Sequence, residues 1–500
     1  MANTATAQPT GRGPGRHMPP ADLLFVLCSF LTIVCWLVLA RRYSLLAYHA
    51  TPHLDLGKVT PAADVLRGTT LLLLALALLY VVQYRLLRWA ERVSTTVKVV
   101  TVALVAAAGG ANVLLYPIGA LDVFNALVEL KLAYHYQENP YLTTFRPHEA
   151  DPFARHAFFL DLPLFYGPAW LALAGLPSLL AGFDDLLRTL LAYKAFNLLL
   201  VAVGGLLIYR YQDDQRAGWL AAYTFLANPL ILFEAVANAH NDVLMAVLLV
   251  AAVLALKRDS WLALPLLVVS ALVKFFTAAL VPLFVLAILA RRWGRAQLLA
   301  AVALSLSVVL GAAAPYWAGG QMVAGLVRGT TASQEMDHAS LFSLVREYLR
   351  QHHPSGEAPA AVRHVFAGLF AACALAVLWL FRRGRGFEQA IVDTLLLFCV
   401  LLSLLYPWYL IPVVAVLALK HDALGLAYLA AASALGLLYY LLSVWAWAAS
   451  GFGALGIHAF QALFLTLPIV TYLLAGSSLA YRERTAAKAV QRAASTSARW

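Results

Sequence analysis

Three groups of polar residues interrupt a chain otherwise poor in charge, and each holds side chains that can do chemistry. Asp122 follows the turn-like Pro117-Ile118-Gly119 and opens a helix-like run. A carboxylate at that place can cap the helix by accepting hydrogen bonds from free backbone N–H groups. It can also take a proton from a hydroxyl as that hydroxyl attacks a carbon centre, and the two roles are compatible. Asn228-Pro229-Leu230 is followed by Glu234, Asn238, His240, Asn241 and Asp242. Ionisable groups within apolar sequence are costly and by default suggest function; the plainer alternative is a polar hairpin tip with Asp242 as helix cap. His240-Asn241-Asp242 lacks a metal-ligand spacing, so no metal is expected. Lys274 stands mid-segment among apolar residues. It either snorkels to the headgroups or supplies a counter-charge for a lipid phosphate.

Aromatic residues accompany these groups. Pro140 holds Asn139 in extended geometry and stops the run that Asp122 opens. The nearby Tyr134, Tyr136 and Tyr141 suit either a membrane interface or stacking on a pyranose face. Tyr166-Gly167-Pro168 closes the same loop, and Tyr406-Pro407-Trp408-Tyr409 breaks a late apolar run. The latter reads as an aromatic belt or as contact with a sugar or a polyprenyl chain.

The elements that must position these residues follow from composition. Of the 500 residues 62% are hydrophobic and 12% charged, against roughly 25% charged in a soluble domain. The chain therefore reads as an all-α polytopic membrane protein, multi-pass in the cell membrane. Its net charge of +11 sits in clusters beside apolar runs, where anionic lipid and the positive-inside rule account for it. No nucleic-acid partner is implied. Cys28, Cys35, Cys373 and Cys399 all lie in apolar segments, so neither a disulfide nor zinc is expected.

Residues 1–20 read as a disordered cytoplasmic tail, 21–480 as one membrane domain, and 481–500 as a basic cytoplasmic tail. The first spans fall near 23–40, 66–84 and 96–115. Arg85, Arg88, Arg92 and Lys98 mark the second loop as cytoplasmic, which puts residues 116–170, the loop that begins before Asp122, outside. Residues 169–182 then begin and end outside and read as a juxtamembrane or re-entrant helix rather than a full span. Between Arg258 and Arg291 the chain is too short for two full crossings of ~20 residues, which predicts a short hairpin around Lys274. Counting this way gives roughly 12 to 14 spans. A second external loop, 315–364, carries Leu341, Leu344, Val345, Tyr348 and Leu349 at helical spacing, an amphipathic helix that serves as a lid or as a connector.

Taken in order, Asp122, Asn139-Pro140-Tyr141, Tyr166-Gly167-Pro168, Asn228-Pro229-Leu230 with His240-Asn241-Asp242, Leu272-Val273-Lys274 and Pro407-Trp408-Tyr409 resemble the GT-C superfamily. The resemblance is closest to bacterial polyprenyl-phosphate-mannose-dependent α-mannosyltransferases. It implies a GT-C-like bundle that moves a hexose, mannose by resemblance, from a polyprenyl-phosphate donor to a glycan or glycolipid acceptor. Transfer would occur on the extracytoplasmic face of the cell envelope, with inversion and with Asp122 as base. Asn139, Tyr141, Tyr166, His240, Asn241, Asp242, Lys274, Trp408 and Tyr409 are the expected substrate contacts. No cofactor is expected, since the leaving group already carries its charge. The chain departs from the pattern in having one Asp, followed by Val123-Phe124, where a carboxylate pair would support a metal. The rival reading is a transporter or flippase for a lipid-linked or small polar solute; no internal repeat of the kind transporters use supports it.

Overall fold

The computed structural model describes residues 18–334, 340–352, 357–401, 405–420, 422–448, 456 and 459–476. The expected tails lie outside these residues apart from 18–20, where Pro20 already opens the first helix. The described residues are helices and loops, with one isolated bridge between Ser44 and Leu115. Backbone groups in lipid must be satisfied within their own segment, which selects helices for spanning elements. Among the described residues eight helices are long and apolar enough to cross: Pro20–Arg42, Arg67–Trp89, Thr95–Leu114, Leu186–Tyr211, Arg295–Tyr316, Ala361–Arg382, Ala423–Leu442 and Ala459–Gly476. The pair Gln215–Leu226 and Pro229–Ala237, bent by 43°, is long and apolar enough for a ninth if it forms one broken span.

The other crossings expected from sequence fall on shorter helices. Asp242–Lys257 has 16 residues, Ala263–Val273 11, Val281–Ala290 10, Phe387–Leu401 15 and Ile411–Lys420 10. Three of them begin or end beside candidate residues: Asp242–Lys257 opens on Asp242, Ala263–Val273 ends before Lys274, and Ile411–Lys420 starts two residues after Tyr409. The 259–291 hairpin has its apex at Lys274, between the Ala263–Val273 helix and the 3-10 turn Phe275–Leu280. The Pro168–Ala181 helix, with 14 residues, covers ~21 Å and falls short of the ~30 Å hydrocarbon core. It ends at Gly182, whose φ of +79° lets the chain turn into Leu186–Tyr211.

The basic clusters meet at one end of the bundle. Lys257 Nζ bonds Tyr211 O (2.6 Å) and Asp213 Oδ1 (2.9 Å), and Arg291 pairs with Asp259 at 2.7 Å. At the same end Arg385 pairs with buried Asp393, and Lys420 Nζ bonds both Asp422 and Gln389. Asp122, Lys274 and Tyr440 lie at the other end. These basic residues thus share one end of the bundle.

The 315–364 loop, expected to be external, divides in two. The Gln321–Gln334 helix approaches the Asn139-Pro140-Tyr141 turn so closely that a Cβ on Gly325 would stand 1.8 Å from Tyr141 O. The amphipathic Leu341–His352 helix instead buries Phe342 against Val362 and Phe366. That packing makes it a connector on the bundle, and the covering contact comes from the helix before it.

Candidate active site

Asp122 is the first residue of the Asp122–Tyr134 helix, with Leu121 in the capping position. Among the described residues its side chain makes no capping bond and no ion pair, so the capping role open from sequence is not taken up. It is partly exposed and within electrostatic reach of Lys274 and Asp242. Burial pushes its carboxyl up to about 6, with Lys274 pulling down and Asp242 pushing up.

The chain before Asp122 is fixed by the second polar group. Gly119 N–H donates to Asn238 Oδ1 at 3.1 Å, and Asn238 Nδ2 donates to Glu234 Oε2 at 3.1 Å. The Tyr440 hydroxyl donates to the same oxygen at 3.2 Å. A Cβ on Gly119 would fall 2.6 Å from Asn238 and 2.9 Å from Tyr440, so only glycine permits this approach. Asn228 caps the start of Pro229–Ile231 through Leu230 N–H (2.9 Å) and bonds Ser433, a structural role. The next turn, Leu232–Ala237, is a π-helix, and Ala239 takes φ +58°. Single π-turns occur often at functional sites, and a non-glycine residue at positive φ is held by its surroundings at a cost. Here the wide turn seats Glu234 inside the bundle and turns His240, Asn241 and Asp242 toward Lys274.

Lys274 does not snorkel. Its ammonium donates to both oxygens of fully buried Asp242, at 2.9 and 3.0 Å, and lies 4.3 Å over the Tyr409 ring. Asp242 is therefore an ion-pair partner and not the helix cap. Removing either member would strand a buried charge, at a cost of about 3–5 kcal/mol. The ammonium keeps a third N–H. Trp408 is 6% exposed and stacks on His240 with ring centres 4.0 Å apart, so the late aromatic group belongs to the site and not to a lipid-facing belt. His240 Nε2 lies 3.5 Å from Glu234 Oε2. His240 Nε2, Glu234 Oε1 and Asn241 Nδ2 are buried without hydrogen-bond partners.

The Tyr166-Gly167-Pro168 turn closes over Lys274. Gly167 N–H donates to Val273 O at 3.2 Å, and a Cβ on Gly167 would stand 2.0 Å from Leu272 O. Pro168 at the first helical position suits its fixed φ and launches Pro168–Ala181. This delivers Tyr166 to the electrostatic neighbourhood of Asp122, Asp242 and Tyr409, packed on Trp170 at 4.8 Å.

Asn139 and Tyr141 lie one layer behind. Asn139 bonds Tyr141 N–H (3.1 Å) and Tyr316 O (2.9 Å), and fully buried Tyr141 donates to Tyr166 O at 3.0 Å. They join the 116–170 loop to Tyr316 and hold Tyr166. Tyr136 stacks on His148 at 3.7 Å and bonds Asp151, which Lys131 pairs at 2.7 Å. These loop tyrosines are thus used within the loop.

Sequence reasoning passed over Lys194. Its buried ammonium donates to Ala237 O at 2.7 Å and to Leu115 O, tying the π-turn to the strand-like entry of the Asp122 loop. Asn197, on the same face, bonds Ala235 O at 2.9 Å. The available signal was a lysine inside an apolar run with an asparagine three residues on.

Helix lengths give the depth of the site. From Lys257 at the opposite end, the 16 residues to Asp242 rise ~24 Å within a core of ~30 Å. The pair therefore sits below the end of the bundle, under a partly open carboxylate and a wall of aromatic rings. Such a recess can hold a sugar between a base and a cation.

Residues 46–291 match the family model described as alpha-(1->6)-mannopyranosyltransferase, N-terminal domain. That span contains every candidate site residue except Trp408 and Tyr409. No curated protein and no solved structure matches the chain.

Proposed function

We propose, from the match of residues 46–291 to the family model described as alpha-(1->6)-mannopyranosyltransferase, N-terminal domain, that the chain moves mannose from a polyprenyl-phosphate donor to a glycan or glycolipid acceptor at the extracytoplasmic face. The observation that carries this reading is the pairing of an unbonded carboxylate, Asp122, with a recessed cation, Lys274, at one end of a membrane bundle. The acceptor hydroxyl attacks the anomeric carbon while Asp122 removes its proton. The new C–O bond forms as the bond to the phosphate oxygen breaks, with inversion. The departing lipid phosphate takes the electron pair and meets the third N–H of Lys274, a charge-assisted contact. Tyr166 and the His240–Trp408 stack present rings to the pyranose, and the unpartnered polar atoms of Glu234, His240 and Asn241 are available to sugar hydroxyls.

A lipid donor fits the depth of the site, since its chain partitions between helices and its single phosphate needs one or two cations. Both oxygens of Asp242 are already engaged by Lys274, so that carboxylate is not free to join Asp122 on a divalent ion. Purified protein given radiolabelled polyprenyl-phosphate mannose and an acceptor extract should transfer label in excess EDTA. Transfer from GDP-mannose without any lipid intermediate would sink the assignment. Inhibition by EDTA reversed by Mn²⁺ would return a metal to the mechanism.

A further inference from the structure

A second concave feature lies far from the site. Between the Thr70–Trp89 helix and the Ala423–Ala448 helix runs a groove of about 340 Å³, lined by Tyr84, Arg85, Arg88, Trp89, Leu426 and Ala427 among others. Its place in the bundle follows from the second helix. Tyr440 touches Glu234 at the site, and Ala427, thirteen residues earlier, lies ~20 Å lower along the axis. The groove therefore opens at the opposite membrane face.

Its lining is built for a molecule with one charged and one apolar end. Arg85 and Arg88 are exposed and form no ion pair among the described residues, and the buried Tyr84 hydroxyl lies beside them. Arg216 adds a third cation close by, bonding Arg88 O and Ala90 O. The nearest carboxylate on the facing helix, Asp422, is neutralised by Lys420 at 2.6 Å and bonds Gly425 N–H. Deeper along the groove the walls become Val81, Leu429 and Ala430. The C-terminal segment of this chain is an unsuitable occupant, since Arg482, Arg484, Lys488, Arg492 and Arg499 stand there against Glu483.

We propose that this groove binds an anionic diacyl phospholipid from the leaflet opposite the site, its phosphate between Arg85 and Arg88 and one acyl chain along Val81, Leu429 and Ala430. Basic pockets between helices near a membrane face recognise anionic headgroups in this way, and Trp89 sits at the level where indoles settle. The site does not depend on the reaction proposed above, and its test reads binding rather than turnover.

The full chain is placed in phosphatidylcholine nanodiscs containing increasing phosphatidylglycerol, and thermal unfolding is followed alongside native mass spectrometry. Wild type should gain thermal stability to a plateau, as expected for a ligand of the folded state, and retain phosphatidylglycerol in preference to phosphatidylcholine. Arg85→Gln with Arg88→Gln should lose most of that gain, with binding weakened about tenfold, whereas the double Lys variant keeps it. Ala427→Trp fills the groove with both arginines intact and should lose the gain as well; it decides the matter alone if the Gln variant does not fold. Equal gains in wild type and Ala427→Trp would overturn the proposal, as would retention of phosphatidylcholine equal to phosphatidylglycerol. Preferential retention of polyprenyl phosphate at this groove would also overturn it, in favour of a second donor site.

Discussion

Asp122 accepts no hydrogen bond, and the lysine within its electrostatic reach is already held by Asp242. A carboxylate in that position does little for the fold and is free to receive a proton. Its folded value of about 6 stands above the ordinary 3.8 because burial disfavours the charge. Ionisation is therefore harder in the folded state, and the stability that this group contributes when protonated is lost as pH rises from about 4 through about 6. At pH 8 the Asp122→Asn variant should be more stable than wild type, by on the order of 1–2 kcal/mol once its partial exposure is allowed for. It should also lose turnover by about 10² or more. Wild-type turnover should climb through about pH 6 and level off above it. Thermal scans and a pH profile of transfer test both halves, and an Asn variant with normal turnover would remove Asp122 from the chemistry.

At the scale of elements, the site is a meeting of broken helices held by close backbone approaches. The Tyr166-Gly167-Pro168 turn lies against the Leu272-Val273-Lys274 apex with no room for a methyl group. Gly167→Ala must push the two backbones apart, moving Tyr166 and Lys274 together. The expected result is a loss of about 1–3 kcal/mol and at least a tenfold fall in transfer. Gly110→Ala is the control: it lies in the Thr95–Leu114 helix with nothing within 4 Å of the new methyl. That change should be neutral or stabilise by up to about 1 kcal/mol. Similar losses from both substitutions, by thermal unfolding and by transfer assay, would show that the turn has no special demand for glycine. Lys194 serves the same architecture from the other side, since two carbonyls freed by the π-turn and the loop entry find their donor in its ammonium.

For the whole molecule, the gathering of Lys257, Arg291, Arg385 and Lys420 at one end predicts that this end is cytoplasmic. Exposed positions make the test. Single cysteines at Glu149 and Asp184, whose side chains are 66% and 85% exposed on the site's side, should react with an impermeant maleimide in intact cells. Cysteines at Asp213 and Asp259, 91% and 64% exposed at the other end, should react only after permeabilisation. The background replaces Cys28, Cys35, Cys373 and Cys399, all free thiols. The reverse labelling pattern would invert the molecule and put the site on the cytoplasmic side. Asn241 is 6% exposed and would be a misleading probe.

Composition and charge bias were enough to read an all-helical membrane bundle, a polar loop after the third span, and a hairpin turning at Lys274, because lipid allows few alternatives and the basic residues mark one side. The order of the polar motifs was also enough to point to the mannosyltransferase family. What those motifs do depends on contacts between residues far apart in the chain. Only the folded chain shows that Lys274 is held by Asp242, that Trp408 covers His240, and that Asn139 and Tyr141 brace Tyr166 from behind. Lys194 escaped the sequence reading because its partners are backbone carbonyls, which have no residue identity. The π-turn at Leu232–Ala237 escaped for a related reason: a single extra residue in a helix leaves the apolar pattern intact and becomes visible only when its side chains face a partner.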